Sequence, residues 1–364
     1  MLALALALLV PATAAAGYTV VLTALGWRRP ARPAPTFTPL VTVVIPAHDE
    51  EWTLAAAVES VWASDYPADT VRVLVVADNC TDGTAAAARR AGADVLERHD
   101  PANRGKGFAL AAGLPAALAD GAEAVLVLDA DCVLGRSALR HLTAALAGAE
   151  AVQAAVRPRN PDGGPGGLAA AVGWAVDDGV DAGRSAAGLG VTLRGTGMMF
   201  ARRLVERVPW AGFGLAEDAE YTARLRRAGV RVRFVSRAVV GGEVPPDRAA
   251  LATQRKRWRA ALFSGGCGPV ERLLASKPLV LAHLLLTVGV VAGLSPWLPA
   301  WAPLWAGGLL LATAGVYLRA MAVAGVRPTP GEVVRVTGVV GRLAWLTVVG
   351  RAGTWVRTAR AAQV

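Results

Sequence analysis

The sequence predicts an α/β fold built on a parallel sheet, joined to helices that belong in a membrane. Three observations predict it. Short apolar runs, Val41–Ile45, Val71–Val76 and Val125–Leu128, each end in a loop bearing carboxylates and lead on to a helical pattern. Runs of that length without alternation read as strands buried on both faces. Strand, loop and helix in alternation give a sheet of the nucleotide-binding kind. Residues 1–26, 278–296 and 297–318 are long apolar stretches free of Asp, Glu, Lys and Arg. Finally, 54% of the 364 residues are hydrophobic and the mean hydropathy is +0.41. That is too apolar for an ordinary soluble protein.

The formal net charge is +10. Basic residues flanking apolar segments account for such an excess, and it suits anionic membrane lipids and nucleotide phosphates as partners. No compact basic and aromatic module is visible, so no nucleic-acid partner is expected. The three cysteines, Cys80, Cys132 and Cys267, have neither a paired framework nor zinc-ligand spacing. They read as reduced thiols that fill space in a domain facing the cytosol.

Residues 1–27 form an N-terminal transmembrane anchor, long enough to cross a bilayer and followed at once by Arg28 and Arg29. The small residues Ala12 to Ala16 leave a signal peptide as the competing reading, but a positive n-region is missing. The basic exit points the N-terminus outward. Residues 28–39 are a stiff linker with Pro30, Pro33, Pro35 and Pro39.

Residues 40–270 are the cytosolic domain. Its first strand runs into Pro46-Ala47-His48-Asp49-Glu50-Glu51, and a helical stretch follows to about Ser64. The second strand runs into Asp78-Asn79-Cys80-Thr81-Asp82-Gly83-Thr84, with a helix over Ala85–Ala91. Asn103-Arg104-Gly105-Lys106-Gly107 precedes a helix over Phe108–Leu118. Glycines there let backbone amides approach a phosphate and Lys106 adds charge, although the spacing is not that of a P-loop. Asp129 and Asp131 stand at the carboxyl end of the third strand, where open α/β sheets place ligands. Two hard oxygen donors so placed suit Mg2+ or Mn2+ holding a diphosphate; a capped strand end is the plain alternative. A helix spans Arg136–Leu146, residues 158–167 read as a Pro/Gly loop, and Val191–Phe200 as a strand.

Glu217 and Asp218 enter a helix that ends at Gly229. Carboxylates in a first turn favour the helix dipole, and one of them can also serve as a general base. Val230–Val235 reads as a strand. A basic helix over Arg248–Leu262 carries Gln254, Arg257 and Trp258, suited to a diphosphate, a sugar ring or the membrane surface. Residues 271–364 form a C-terminal membrane region. It comprises a two-helix hairpin near 278–318, an interfacial helix near 331–350 with a third span as its competitor, and a basic tail. His48 reads as a hydrogen-bonded loop residue. The four histidines are too scattered for a metal cluster, and no Ser-His-Asp arrangement offers a nucleophile.

In order, the Pro46–Glu51 loop, Asp78-Asn79 with Thr81-Asp82-Gly83, Asp129-Ala130-Asp131, Glu217-Asp218 and Gln254-Arg255-Lys256-Arg257-Trp258 resemble membrane-bound family 2 glycosyltransferases. That group includes chitin, hyaluronan and cellulose synthases and ceramide glucosyltransferase. Trp355-Val356-Arg357-Thr358 is similar to the tail of such enzymes. The resemblance implies a GT-A fold, a mixed sheet with helices on both faces, and metal-dependent hexosyl transfer with inversion. It also implies roles. Pro46, Ala47 and Glu50 line the nucleotide pocket, Asp78 meets the base, and Lys106 reaches the nucleotide or its phosphates. Asp129 faces ribose and diphosphate, with Asp131 on the metal. Asp218 is the base beside Glu217, and Gln254, Arg257 and Trp258 shape the acceptor and diphosphate end. Ala216 stands where the family often has Thr, which removes a hydroxyl on the acceptor side.

Three readings follow. The first is a multi-pass cell-membrane enzyme moving sugar from a nucleotide-sugar donor to a lipid or glycan acceptor. The second is a catalytically silent scaffold of the same fold, against which the intact carboxylates count. The third is a nucleotidyltransferase, disfavoured by the membrane hairpin. Sugar, base, acceptor and oligomeric state stay open.

Overall fold

The computed structural model describes residues 1–27, 38–161, 165–244, 277–327, 329–335 and 337–338. Gln254, Arg257 and Trp258, the Trp355–Thr358 stretch and most of the 28–39 linker lie outside them.

A long helix, α1 (Leu2–Gly26), comes first. The sheet domain follows as β1 (Val41–Ala47), α2 (Leu54–Trp62), β2 (Val71–Asp78), α3 (Thr84–Arg90), β3 (Asp94–Arg98), α4 (Lys106–Ala119), β4 (Ala124–Val127), β5 (Val133–Leu134) and α5 (Ala138–Leu146). It continues with β6 (Ala151–Pro158), α6 (Pro165–Ala186), β7 (Met198–Ala201), α7 (Arg202–Arg207), α8 (Glu217–Arg227) and β8 (Arg233–Gly242). Two apolar helices, α9 (Lys277–Gly293) and α10 (Trp301–Val323), follow.

The eight strands form one sheet in the order β3-β2-β1-β4-β7-β6-β8-β5. β3, β2, β1 and β4 run parallel, with Val41 of β1 opposite Val71 on one side and Ala124 on the other. β7 then pairs antiparallel with both β4 and β6, so the sheet is mixed. Alternate residues of the central strands serve opposite cores. Val43, Val73 and Leu126 pack with α2 and α5 through Leu54, Val58, Leu139 and Leu142. Val44, Val76 and Val125 pack with α4 and α8 through Leu110, Leu114 and Tyr221. Continuous apolar strands are what two covered faces require.

Several sequence expectations shift. Val191–Gly197 is loop, and the strand is confined to Met198–Ala201, because Gly195 and Gly197 take positive φ. The strand expected at Val230–Val235 lies at Arg233–Gly242. The 158–167 loop is shorter than read: β6 reaches Pro158 and α6 begins at Pro165, proline being well suited to a first helical turn.

α1 and α10 are long and apolar enough to cross a membrane, at about 38 and about 35 Å by the helical rise. They expose Leu4 (52%), Leu304 (75%) and Leu311 (75%). α9 is shorter and completes a hairpin with α10 around Ser295–Trp297. Residues 330–335 are helical at the start of the expected 331–350 segment. The Arg319 guanidinium of α10 lies 4.8 Å from the Trp27 ring, which brings the basic end of α10 level with the exit of α1.

Candidate functional site

Two clusters meet along the carboxyl edge of the parallel strands. The first lies beyond β1 and β2. Asp49, at φ +52°, accepts the Thr81 backbone N–H at 2.7 Å, and the Glu51 carboxylate accepts that of Gly83 at 3.1 Å. Charge-assisted bonds of this kind fix one loop against the other. The Glu50 carboxylate takes the Thr53 hydroxyl at 2.6 Å. His48 Nδ1 donates to the Asp78 carbonyl at 2.7 Å, as expected of a satisfied loop histidine. Pro46 and Ala47 end β1 beside them.

Asp78 is buried at the end of β2. Its Oδ1 accepts Arg98 at 2.6 Å and Asn79 Nδ2 at 3.1 Å, and its Oδ2 accepts the Gly105 N–H at 3.4 Å. Arg98 also binds Asp100 at 2.8 Å and stands 5.8 Å from the centroid of the Phe108 ring, which stacks on Phe213. The sequence reading passed over Arg98 because it closes a short, half-exposed strand. Its signal is its place one strand over from Asp78.

The second cluster gathers around Lys106, the first residue of α4. Its Nζ lies 2.5 Å from Asp129 Oδ1 and 3.5 Å from Glu217 Oε1, and it donates to the Gly195 carbonyl at 2.8 Å. Asp129 is held from behind, its N–H donating to Thr196 Oγ1 at 3.1 Å. A turn closed by Cys132 N–H to the Asp129 carbonyl, at 3.0 Å, carries Asp131 on the same loop. Asp218 begins α8 next to Glu217 and accepts the Ala219 N–H at 2.7 Å. Gly195 is the wall opposite: a Cβ there would lie 3.2 Å from Lys106 Nζ and 3.6 Å from Asp218 Oδ2.

The electrostatics follow from this crowding. Burial pushes the Asp218 carboxyl up to about 7; Glu217 adds to the rise, while Lys106 and the Ala219 N–H oppose it. Burial would lower Lys106, but Asp129 and Glu217 outweigh it and hold the ammonium above its ordinary range. Burial, then the Asp131 and Asp129 charges, drive the Cys132 thiol well up, which leaves it a neutral thiol.

The donor set fits a hard divalent cation. Oxygens of Asp129 and Asp131 and the Cys132 sulfur lie within 4.8 Å of one another, and the Lys106 ammonium on Asp129 shows that a cation is already stabilised there. Carboxylate oxygens are the ligands that Mg2+ or Mn2+ takes.

The structure thus brings Lys106, Asp129, Asp131, Glu217 and Asp218 into one cleft and places Asp78 one turn away through Gly105. Gln254, Arg257 and Trp258 lie outside the described residues. Thr196 and Gly195, unread in the sequence, supply two contacts of the cleft.

Comparison with known proteins bears on the fold and family. The model of the family described as "Glycosyltransferase like family 2" matches residues 38–261. The probable glycosyltransferase YdaM of Bacillus subtilis (strain 168) is 27% identical over 237 residues, 60% of this chain and 54% of that protein. The match thus spans about half the length of this relative. Among solved structures, the mannosyltransferase PcManGT of Pyrobaculum calidifontis, in complex with GDP-Man and Mn2+, has a TM-score of 0.53 at 22% identity. That alignment covers 95% of this chain and 99% of the other, and shows a shared fold. Glucosyl-3-phosphoglycerate synthase of Mycobacterium tuberculosis is also similar, with a TM-score of 0.44, 23% identity and coverage of 66% and 86%. The family match covers more than half of the chain and takes in both clusters of the cleft, so the chain belongs to glycosyltransferase-like family 2.

Proposed function

We propose that this chain is an inverting, metal-dependent hexosyltransferase of the cell membrane. It moves a sugar from a nucleotide-sugar donor to a lipid or polysaccharide acceptor at the cytosolic face. The observation that carries this reading is the single ammonium, Lys106, set among Asp129, Glu217 and Asp218, with Asp218 held near neutrality beside it.

In the reaction, the acceptor oxygen bonds to the anomeric carbon and its proton passes to Asp218. The bond from that carbon to the donor's phosphate oxygen breaks, and its electron pair leaves with the nucleoside diphosphate. A base that titrates near the working pH suits this proton transfer. Asp131 and Asp129 would hold Mg2+ or Mn2+, which offsets charge on the leaving diphosphate when bound. Lys106 adds a fixed positive charge at the same place. Asp78, with Arg98, takes the nucleobase beside Pro46, Ala47 and Glu50. Gln254, Arg257 and Trp258 serve the acceptor and diphosphate end. The shared fold with PcManGT, which is in complex with GDP-Man and Mn2+, supports a nucleotide sugar and a metal.

The membrane placement is part of the proposal. α1 and the α9–α10 hairpin span the bilayer. Trp27 and Arg319 meet at one level, next to Arg28 and Arg29, which marks the cytosolic side by the positive-inside rule. Residues 1–27 are then the anchor, 40–270 the cytosolic domain and 271–364 the C-terminal membrane region. The resemblance to hyaluronan, chitin and cellulose synthases and ceramide glucosyltransferase supports both acceptor classes.

The test supplies purified protein in native lipid with labelled UDP- and GDP-sugars and Mn2+. Label extracted into organic solvent identifies a lipid acceptor, and label retained as polymer identifies a polysaccharide. Release of pyrophosphate in place of nucleoside diphosphate would mean a nucleotidyltransferase and overturn the reading.

A further inference from the structure

α6 stands between the apolar helices and the sheet. Along one side it packs on α1: a Cβ on Gly183 would come 1.8 Å from the Leu22 carbonyl oxygen, so no other residue permits this approach. The Arg184 guanidinium hydrogen-bonds the Tyr18 hydroxyl of α1. Nearer its N-terminus the same face packs on α10, with Val172 and Val176 against Val316 and Ala320.

The other side of α6 carries Asp178 and Asp181, which grip Arg194 at 2.7 and 2.5 Å. The guanidinium also lies 5.1 Å from the centroid of the Phe234 ring in β8. Its side chain is 19% exposed and that of Asp178 only 8%. The Arg194 N–H donates to Gln153 Oε1 at 3.0 Å, and Gln153 Nε2 donates to the Thr196 carbonyl at 2.8 Å. The next two residues, Gly195 and Thr196, are those that contact Lys106 and the Asp129 N–H.

We infer that Arg194 is a positioning residue for transfer: its grip on Asp178 and Asp181 locks the Gly195–Thr196 loop to α6, and so to the helices in the membrane. A planar fork held by two carboxylates and a ring has one orientation, whereas an ammonium, a point charge on a flexible stem, fixes none. A small displacement of that loop moves Lys106 and Asp129 relative to Asp218. The Asp78 pocket is held mainly by the Asp78–Arg98 pair at the ends of β2 and β3 and meets the Lys106 side only through the long Gly105 N–H contact, so it is disturbed far less. The inference rests on the proposed transferase reading.

The test uses the full-length protein in lipid and compares wild type with Arg194→Lys and Asp181→Asn. Three quantities are read: nucleoside-diphosphate release at saturating donor, equilibrium binding of the free nucleoside (uridine or guanosine), and the melting temperature. The expected result for Arg194→Lys is a fall in kcat of about tenfold or more, with nucleoside binding within about threefold and melting nearly unchanged. Asp181→Asn shows the same split with a smaller loss. Unchanged kcat in folded Arg194→Lys, or binding, kcat and melting falling together, overturns the inference. If Arg194→Lys does not fold, Asp181→Asn decides on the same criteria. Wild-type protein that releases no nucleoside diphosphate overturns the transferase reading itself.

Discussion

At Asp218, burial and the neighbouring Glu217 hold a carboxyl group near neutrality against the pull of Lys106. The base works deprotonated, so the rate should fall as pH drops below about 7, roughly tenfold per unit, in a kcat/KM profile. Asp218→Asn should lower turnover by about 10²–10⁴-fold while nucleoside-diphosphate binding persists. Lys106→Met should move the acid limb of the profile to higher pH, since Lys106 is the charge that lowers the Asp218 carboxyl; a limb that stays in place would show that the two groups do not interact. The sequence singled these residues out by position, Lys106 beside glycines before a helix and Glu217-Asp218 in a helix's first turn, and the structure brings them together. Arg98, Arg194 and Gly195 were hidden for the opposite reason: an arginine in a chain with many, and a glycine among forty, acquire meaning only from their partners.

Elements were legible in proportion to the regularity of their burial. β1, β2 and β4 are apolar on both faces and stand out, as does α4 with Leu110 and Leu114. β3 sets only Val95 and Leu96, both half-buried, between polar residues, and β5 has only two residues; neither gives a periodic signal. α6 went unread because its Gly173, Gly179 and Gly183 resemble loop composition, although Gly179 and Gly183 are what allow contact with α1. Leu114 belongs to the scaffold under Lys106, fully buried on α4. Leu114→Ala should cost about 2–5 kcal/mol and lower the melting temperature, yet leave the pH midpoint of the remaining activity in place. A shifted midpoint would show that α4 does not hold Lys106 rigidly.

For the whole molecule, the account joins a mixed-sheet domain to α1 and the α9–α10 hairpin through α6. Leu311 distinguishes a membrane setting from an aqueous one, being 75% exposed in the middle of α10. In water, Leu311→Asp would be harmless or helpful. In a bilayer it should cost about 2.5–3.5 kcal/mol and deplete the protein from the membrane fraction. The central claim is that the cleft of Lys106, Asp129, Asp131 and Asp218 transfers sugar from a nucleotide. Nucleoside-diphosphate release by the purified protein in lipid with Mn2+, across a panel of sugar nucleotides, tests it directly. The expected result is release from at least one donor by the wild type and its near-complete loss in Asp218→Asn. No release from any donor by folded wild-type protein supplied with native lipids, or equal release by both proteins, would contradict it.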